Sequence, residues 1–160
     1  MFTGKYTHLI DDTNRLAIPS ILRKCIDEEK DGKGFYITPG LDRCLDIYPP
    51  LEFRKLTKKL EQLMFTNKKA RNFKRLFFSK SSGCVKCDKQ GRIIIPQILK
   101  EHADLKKDVV IVGVNEKIEV WDLQHWNEYK ADHEQNFERD AEDLFQLGYA
   151  PNTEQNPVDK

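Results

Sequence analysis

Apolar and polar positions along the chain change period several times, and each change predicts an element. Lys5-Tyr6-Thr7-His8-Leu9-Ile10 and Arg15-Leu16-Ala17-Ile18 read as two short strands around the turn Asp11-Asp12-Thr13-Asn14. Pro19 stops the second strand and opens a short helix that reaches Ile26. Residues 27–34 are charged and glycine-containing, which predicts a loop. Residues 35–38 and 44–48 are strands joined by Pro39-Gly40-Leu41-Asp42-Arg43, a stretch with hairpin chemistry. Pro49-Pro50 opens a helix whose Phe53, Leu56, Leu60 and Leu63 fall on one face, and Thr66 is expected to cap a second helix carrying Ala70, Phe73 and Phe77. The strand pattern then restarts: Cys84-Val85-Lys86-Cys87, a short helix over 97–102, and a second hairpin from 108–113 and 117–121. Asp122 is expected to cap one long helix bearing Leu123, Trp126, Tyr129, His133, Phe137, Ala141 and Leu144 near one face. From Pro151 the residues are polar, and a disordered tail is expected.

Within this pattern one stretch occurs twice. Asp88-Lys89-Gln90-Gly91-Arg92-Ile93-Ile94-Ile95-Pro96 is a polar turn feeding a β-branched strand that a proline stops. Asp11, Arg15, Ile18, Pro19 and Leu22 match Asp88, Arg92, Ile95, Pro96 and Leu99, each displaced by 77 residues (15 to 92). Further on, Leu45, Ile47, Tyr48 and Phe53 match Ile118, Val120, Trp121 and Trp126, displaced by 73 (45 to 118). The lost four residues point to a longer loop in the first copy, within 27–34. So many matches in order indicate an internal duplication, two β-rich units related by a pseudo-twofold axis. The units divide the chain into 1–80, a first repeat with a helical hairpin; 81–150, a second repeat with a long C-terminal helix; and 151–160, the tail. Gly91 accepts positive φ without a Cβ clash, and Asn14, which stands in its place in the first copy, is the next most tolerant residue.

Composition changes this picture mainly through the distribution of charge. The net charge is +1, but residues 1–121 hold 24 Lys and Arg against 16 Asp and Glu, and residues 122–160 hold 3 against 10. A basic body with an acidic end suits a polyanion partner, and equally a solvated surface with an acidic helix. No apolar run approaches the roughly 20 residues that span a bilayer, so no membrane association is expected. The N-terminus lacks the basic-then-apolar order of a secretory signal. Four cysteines are too sparse for a disulfide scaffold, and reduced thiols in a cytosol are the expectation.

Candidate chemistry narrows quickly. Arg15 and Arg92 stand at the junctions of turn and strand, where a guanidinium fork could read guanine or phosphate, or could clamp its own Asp11 or Asp88. Lys5, Arg23, Lys24, Lys86 and Lys89 flank the two motifs and suit phosphate contacts that position a protein on DNA. Asp11, Asn14, Asp88 and Gly91 are assigned to shaping the turns. Cys84-x-x-Cys87 invites a zinc or thiol-redox reading, but the second ligand pair zinc requires is missing, and the pair precedes a strand instead of opening a helix. His125 and His133 lie eight residues apart on the predicted helix, beyond ligand spacing. Gly-x-Ser-x-Gly, phosphate-binding glycine loops and His-Glu-x-x-His do not occur. No catalytic residue, metal ligand or cofactor is expected, and the chain is not read as an enzyme.

The stretches Asp11-Asp12-Thr13-Asn14-Arg15-Leu16-Ala17-Ile18-Pro19, Gly40-Leu41-Asp42-Arg43-Cys44-Leu45, Arg75-Leu76-Phe77-Phe78 and Asp88 to Pro96 together resemble the MraZ family, whose members carry two tandem SpoVT/AbrB-like units. The resemblance implies an α+β fold, a pseudo-twofold swapped-hairpin β-barrel with peripheral helices. It implies assembly into ring-like homo-oligomers. It also implies sequence-specific binding to double-stranded DNA at promoter-proximal repeats of the division and cell-wall gene cluster, usually as a repressor, in the cytoplasm at the nucleoid. The family's Asp-x-x-x-Arg motif maps to Asp11 with Arg15 and Asp88 with Arg92. Asn14 departs from the usual glycine, and Arg43 from the usual smaller residue. The other reading of the same fold is a protein-interaction or antitoxin-like module that docks through the acidic helix.

Overall fold

A computed structural model describes residues 1–148, and the polar tail expected from 151 lies outside them. The element order is β1 (Lys5–Leu9), β2 (Arg15–Ala17), α1 (Ser20–Arg23), α2 (Glu28–Asp31), β3 (Tyr36–Pro39), β4 (Leu45–Tyr48), α3 (Pro50–Glu61), α4 (Lys68–Lys80), β5 (Arg92–Ile94), α5 (Gln97–His102), β6 (Asp108–Val114), β7 (Lys117–Asp122), α6 (Leu123–His133), a 3-10 turn (Glu134–Asn136) and α7 (Phe137–Gly148). Met1–Trp126 forms one compact unit, and Asn127–Lys160 is a second.

The first unit is α+β, built from two antiparallel sheets. A five-stranded sheet runs β1-β6-β7-β4-β3, and β2 pairs with β5 in a second sheet, with Leu16 also bridged to Ile10 just beyond β1. Both central pairings join one copy of the repeat to the other. In the small sheet Arg15 faces Ile94, Leu16 faces Ile93 and Ala17 faces Arg92. At a displacement of 77, Leu16 therefore faces its own counterpart, and Arg15 faces the counterpart of Ala17. In the large sheet Leu45 faces Val120, Asp46 faces Glu119 and Ile47 faces Ile118. At a displacement of 73 this register is again its own mirror, centred on Asp46 and Glu119. Two independent strand pairs thus carry the same local twofold relation, which is what a folded duplication requires.

The expected barrel is corrected here: neither sheet closes on itself among the described residues. The reason is visible at the edges. β1 pairs with β6 along five residues, Lys5 to Leu9. Its counterpart in the second copy is reduced to a single bridge, Phe35 to Val85, which occupies the place of the His8–Val109 pair. Residues 84–87, expected as a strand, are therefore extended with one bridged residue. β2 and β5 have three residues each, and their sheet meets the end of β1 through the single Ile10–Leu16 bridge, short of a continuous ladder.

The hairpins refine the loop argument. β3–β4 pairs Pro39 with Leu45, and β6–β7 pairs Gly113 with Ile118. Pro39 is thus displaced from Gly113 by 74, so three of the four extra residues fall in 27–34 and the fourth in the hairpin connection at 40–44. The extra length at 27–34 makes a helical turn, α2, whose N-cap Asp27 accepts from the backbone N–H of Glu29 and Lys30.

The core collects Leu16, Ile18, Leu22, Ile37, Leu45, Ile47 and their counterparts Ile93, Ile95, Leu99, Ile111, Ile118 and Val120, all at most 2% exposed. β4 is buried along its whole length, a central strand covered on both faces. α3 lies against the β3–β4 hairpin through Phe53, which stacks on Tyr36 with ring centroids 4.2 Å apart. α4 is capped by Asn67, not Thr66: the Asn67 side chain accepts from the Ala70 N–H at 3.2 Å. It anchors through Phe77, while Ser82 just beyond it exchanges two hydrogen bonds with the Ile37 backbone. Asp122 caps α6 as expected, accepting from the Gln124 N–H at 3.0 Å.

In the second unit the single long helix expected from 122 is interrupted by the 3-10 turn, where Asn136 Oδ1 accepts from the Arg139 guanidinium at 3.0 Å. Asn competes for local hydrogen bonds and is a weak helix former. α7 exposes Phe137, Leu144, Phe145 and Leu147, each at least 65% accessible.

Leu16 sits on the local twofold with no exposed surface, so Leu16→Ala leaves a cavity at the seam between copies. A loss of about 2–5 kcal/mol is expected in denaturant unfolding. Leu41→Ala, at a side chain 75% exposed, should stay within about 0.5 kcal/mol of the parent.

Candidate nucleic-acid interface

The two Asp-x-x-x-Arg turns share one backbone design. In the first, the Asn14 N–H donates to the Asp11 carbonyl at 3.0 Å and the Asp11 N–H to the Arg15 carbonyl at 3.0 Å. In the second, the Gly91 N–H donates to the Asp88 carbonyl at 3.0 Å and the Asp88 N–H to the Arg92 carbonyl at 2.9 Å. Asn14 and Gly91 hold φ of 59° and 75°, the left-handed conformation the sequence assigned to both positions. In each turn the aspartate Oδ1 accepts from the arginine's own backbone N–H, at 2.9 Å for Asp11 and 3.0 Å for Asp88. These carboxylates therefore set the base from which each arginine side chain leaves.

The side chains then diverge. Arg92 Nε donates to Asp88 Oδ2 at 2.8 Å, and its guanidinium also lies 3.9 Å from Asp11 Oδ2. Arg15 donates only a long bond, 3.4 Å, to Thr13 Oγ1, and among the described residues it forms no ion pair. The two turns differ in sequence one position before the turn residue. Thr13 places its hydroxyl on Asp11 Oδ1 at 2.8 Å, whereas its counterpart Gln90 has no short hydroxyl to offer. Arg92 is thus held by two carboxylates, while Arg15 is half-buried at its base with an uncommitted fork. The clamp that the sequence left open for both arginines exists at Arg92 alone.

Each turn also holds the other copy. The Asn14 carbonyl accepts from the Ile95 N–H at 2.8 Å, and the Gly91 carbonyl accepts from the Ile18 N–H at 3.0 Å. Lys100 Nζ donates to Asn14 Oδ1 at 3.0 Å. Arg23, the counterpart of Lys100, donates from Nε to the Ile18 carbonyl at 3.0 Å and lies across Gly91. A Cβ on Gly91 would come within 2.7 Å of three atoms of the Arg23 guanidinium, which would have to move aside, and the positive φ is what favours glycine there. Sequence reasoning missed Lys100 and Gln97, whose side chain accepts from Asn14 Nδ2 at 3.2 Å; the 77-residue displacement from Arg23 was the signal that could have found Lys100.

The remaining predicted cations are dispersed. Lys89 stands exposed on the second turn, where the first carries Asp12. Lys24 and Lys86, with Arg23, line a separate groove. Lys5 lies at the start of β1, five residues before Ile10 and so about 16 Å from the first turn at roughly 3.3 Å per residue. Arg43, at φ 62°, reaches Asp104 at 3.5 Å.

Two clusters bear on metal or thiol chemistry. Cys44 Sγ and carboxylate oxygens of Asp46 and Glu119 lie within 4.8 Å of one another at the centre of the large sheet. Lys117 Nζ occupies the place of a cation there, 2.9 Å from Asp46 and 3.1 Å from Glu119. Burial, and then the Asp46 carboxylate, push the Cys44 thiol well up, which keeps it protonated and a poor ligand. Cys84 is exposed and donates to the Lys33 carbonyl at 3.2 Å. Burial pushes the Cys87 thiol up as well, opposite to what a redox Cys-x-x-Cys needs.

Fold and site together define a duplicated α+β protein whose two repeats pair across a local twofold and present paired Asp-x-x-x-Arg turns. A family model for MraZ protein, described as antitoxin-like, matches residues 1–76 and 81–148. Among similar proteins are three named transcriptional regulator MraZ. That of Finegoldia magna is 44% identical over 147 residues, covering 92% of this chain and 99% of its own. That of Heliobacterium modesticaldum is 44% identical over 145 residues (91% and 97%), and that of Clostridium tetani 45% over 148 residues (92% and 99%). The chain belongs to the MraZ family, a family of transcriptional regulators and not of enzymes. No helix among the described residues is long and apolar enough to cross a membrane.

The backbone N–H of Arg15, and then the Thr13 hydroxyl, hold Asp11 below the usual carboxylate range; the backbone N–H of Arg92, and then its side chain, do the same for Asp88. A carboxylate whose folded pKa is depressed stabilises the fold above its unfolded value, about 3.9, and loses that contribution as pH falls through the folded value. In Asp11→Ala and Asp88→Ala, melting temperature should therefore be lower than the parent's at neutral pH, with a shallower decline from about pH 5 to pH 2. A parental acid profile in either variant would show that its carboxylate does not hold the turn.

Proposed function

We propose that this chain is a sequence-specific DNA-binding transcriptional regulator that works as a ring-like homo-oligomer. Its target is promoter-proximal repeats of the division and cell-wall gene cluster, which it represses, in the cytoplasm at the nucleoid. The observation that carries the reading is the contrast between the two arginines. Arg15 leaves a rigid turn with its guanidinium in no ion pair, and such a planar fork is suited to guanine O6 and N7. Arg92, held by Asp88 and Asp11, serves chiefly to lock the second turn.

Lys89 beside that turn, with Lys24, Lys86 and Lys5, supplies phosphate contacts that position the protein without reading sequence. Arg23, Asp11, Asn14, Asp88 and Gly91 shape the turns. One arginine per subunit binds weakly, and a ring that engages several repeats raises avidity through effective concentration. The exposed apolar residues of α7 and of α4, where Leu76 is 62% accessible, are consistent with burial between subunits. The same acidic α7 also favours a second reading, an antitoxin-like module in which this helix docks a different protein.

The readings separate on one substitution. Arg15→Ala should fold as the parent does, by circular dichroism and melting temperature, and lose at least about tenfold in affinity for DNA recovered by unbiased selection, measured by fluorescence anisotropy. Parental affinity in the folded variant would remove Arg15 from the interface. The parent's affinity should also fall steeply between about 50 and 200 mM salt, with a linear double-logarithmic slope. A flat dependence would count against phosphate contact.

A further inference from the structure

The duplication supplies an internal comparison that singles out one groove. Ser20, Arg23 and Lys24 of α1, the 27–34 loop with Glu28 and Lys33, and Lys86 with Cys87 enclose about 690 Å³, within the range of about 300–1,000 Å³ usual for small-molecule sites. Ile26, Phe35 and Cys87 supply its apolar wall. Arg23, Lys24, Lys33 and Lys86 outnumber Glu28, the one acid lining it, which lies 3.7 Å from Lys33.

The second copy keeps two of these cations, with Lys100 for Arg23 and Lys107 for Lys33, and differs at the other positions. Glu101 stands where Lys24 stands, Leu9 where Lys86 stands, and Ile10 where Cys87 stands. Ile10 is buried and donates its N–H to the Lys107 carbonyl at 2.9 Å, so the shorter connection there closes directly onto the strand. In the first copy the three extra residues form α2 and hold the connection away, leaving the groove between them. Gly34, at φ 89°, lets the loop return: a Cβ there would lie 2.7 Å from the Val85 carbonyl. Lys24 and Lys86 therefore accompany the opening. Fold maintenance does not explain Lys24 and Lys86, because the closed copy keeps the same fold with Glu101 and Leu9 in their places.

We propose that this groove binds a small organic phosphate, its phosphate groups on Lys33, Lys86, Lys24 and Arg23 and its organic body on Ile26 and Phe35. The chemistry is that of clustered ammonium and guanidinium groups around an oxyanion, with Arg23 already oriented by the Ile18 carbonyl. A concave site with an apolar wall suits a ligand that carries an organic body beside its phosphates, and because Lys24 and Lys86 are also proposed to meet the DNA backbone, the two occupants compete for those lysines.

Lys33 lies outside the residues proposed to contact DNA, which makes it the discriminating position. Titration of the full chain with adenosine diphosphate as probe, followed by calorimetry, should give saturable binding. Lys33→Ala should weaken that binding at least fivefold with DNA affinity unchanged. Arg15→Ala should bind adenosine diphosphate as the parent does whether or not it still binds DNA, so the two assignments fail independently. Three outcomes overturn the proposal: no saturable binding to the parent, equal binding to Lys33→Ala, or loss of DNA affinity in Lys33→Ala without nucleotide binding, which would give the groove to the DNA backbone.

Discussion

The structure depends on strand pairing between the two copies of the repeat. β2 has its partner in β5, β4 in β7 and β1 in β6, so neither copy completes its backbone hydrogen bonds alone. A β-branched or leucine side chain sits on the local twofold in the small sheet, and a charged pair sits on it in the large one. Asp46, Lys117 and Glu119 are placed where register matters most. Burial pushes the Asp46 carboxyl up, and the Lys117 ammonium, although penalised by its own burial, is pushed up by the Asp46 carboxylate. Such a pair contributes little net stability compared with an apolar one, but separating it by a one-residue slip would strand a buried charge. It therefore specifies the register more than it strengthens the sheet.

Symmetry of the backbone did not carry symmetry of the side chains. The two turns superimpose in hydrogen bonding, down to the aspartate Oδ1 and the arginine N–H, yet their arginines have different fates. Thr13 against Gln90 is a small difference in sequence, and it gives the Arg15 guanidinium a hydroxyl neighbour where Arg92 meets its own carboxylate. Around α1 and α5 the counterparts keep one role, since Arg23 covers Gly91 and Lys100 bonds Asn14, each against the other copy's turn. At the two arginines, by contrast, Arg92 holds the fold and Arg15 is left available for other partners. The groove beside α1 is the largest such divergence, because three inserted residues changed its volume as well as its charge.

Much of this was legible along the chain. The repeat displacement, the left-handed positions at Asn14 and Gly91, the two hairpins and the Asp122 cap all rest on local chemistry, which acts over four or five residues. Errors fell where distant partners decide. Asn67 caps α4 in place of Thr66, one residue away, and either side chain could have done so on local grounds. Residues 84–87 have strand chemistry but find only one residue of Phe35 and its neighbours to pair with. The helix after Asp122 breaks at Glu134–Asn136 although its apolar spacing continues through it.

What the sequence determined by itself was the duplication, the element types and the residues at each turn, because period and turn chemistry are properties of neighbours in the chain. Which of two equivalent arginines is clamped, whether the sheets close, and where the basic residues gather were decided only in the tertiary structure. Those outcomes depend on distances of 3 or 4 Å between side chains more than seventy residues apart, such as Arg92 with Asp11 and Lys100 with Asn14. A period cannot encode that separation, and a pairing register can.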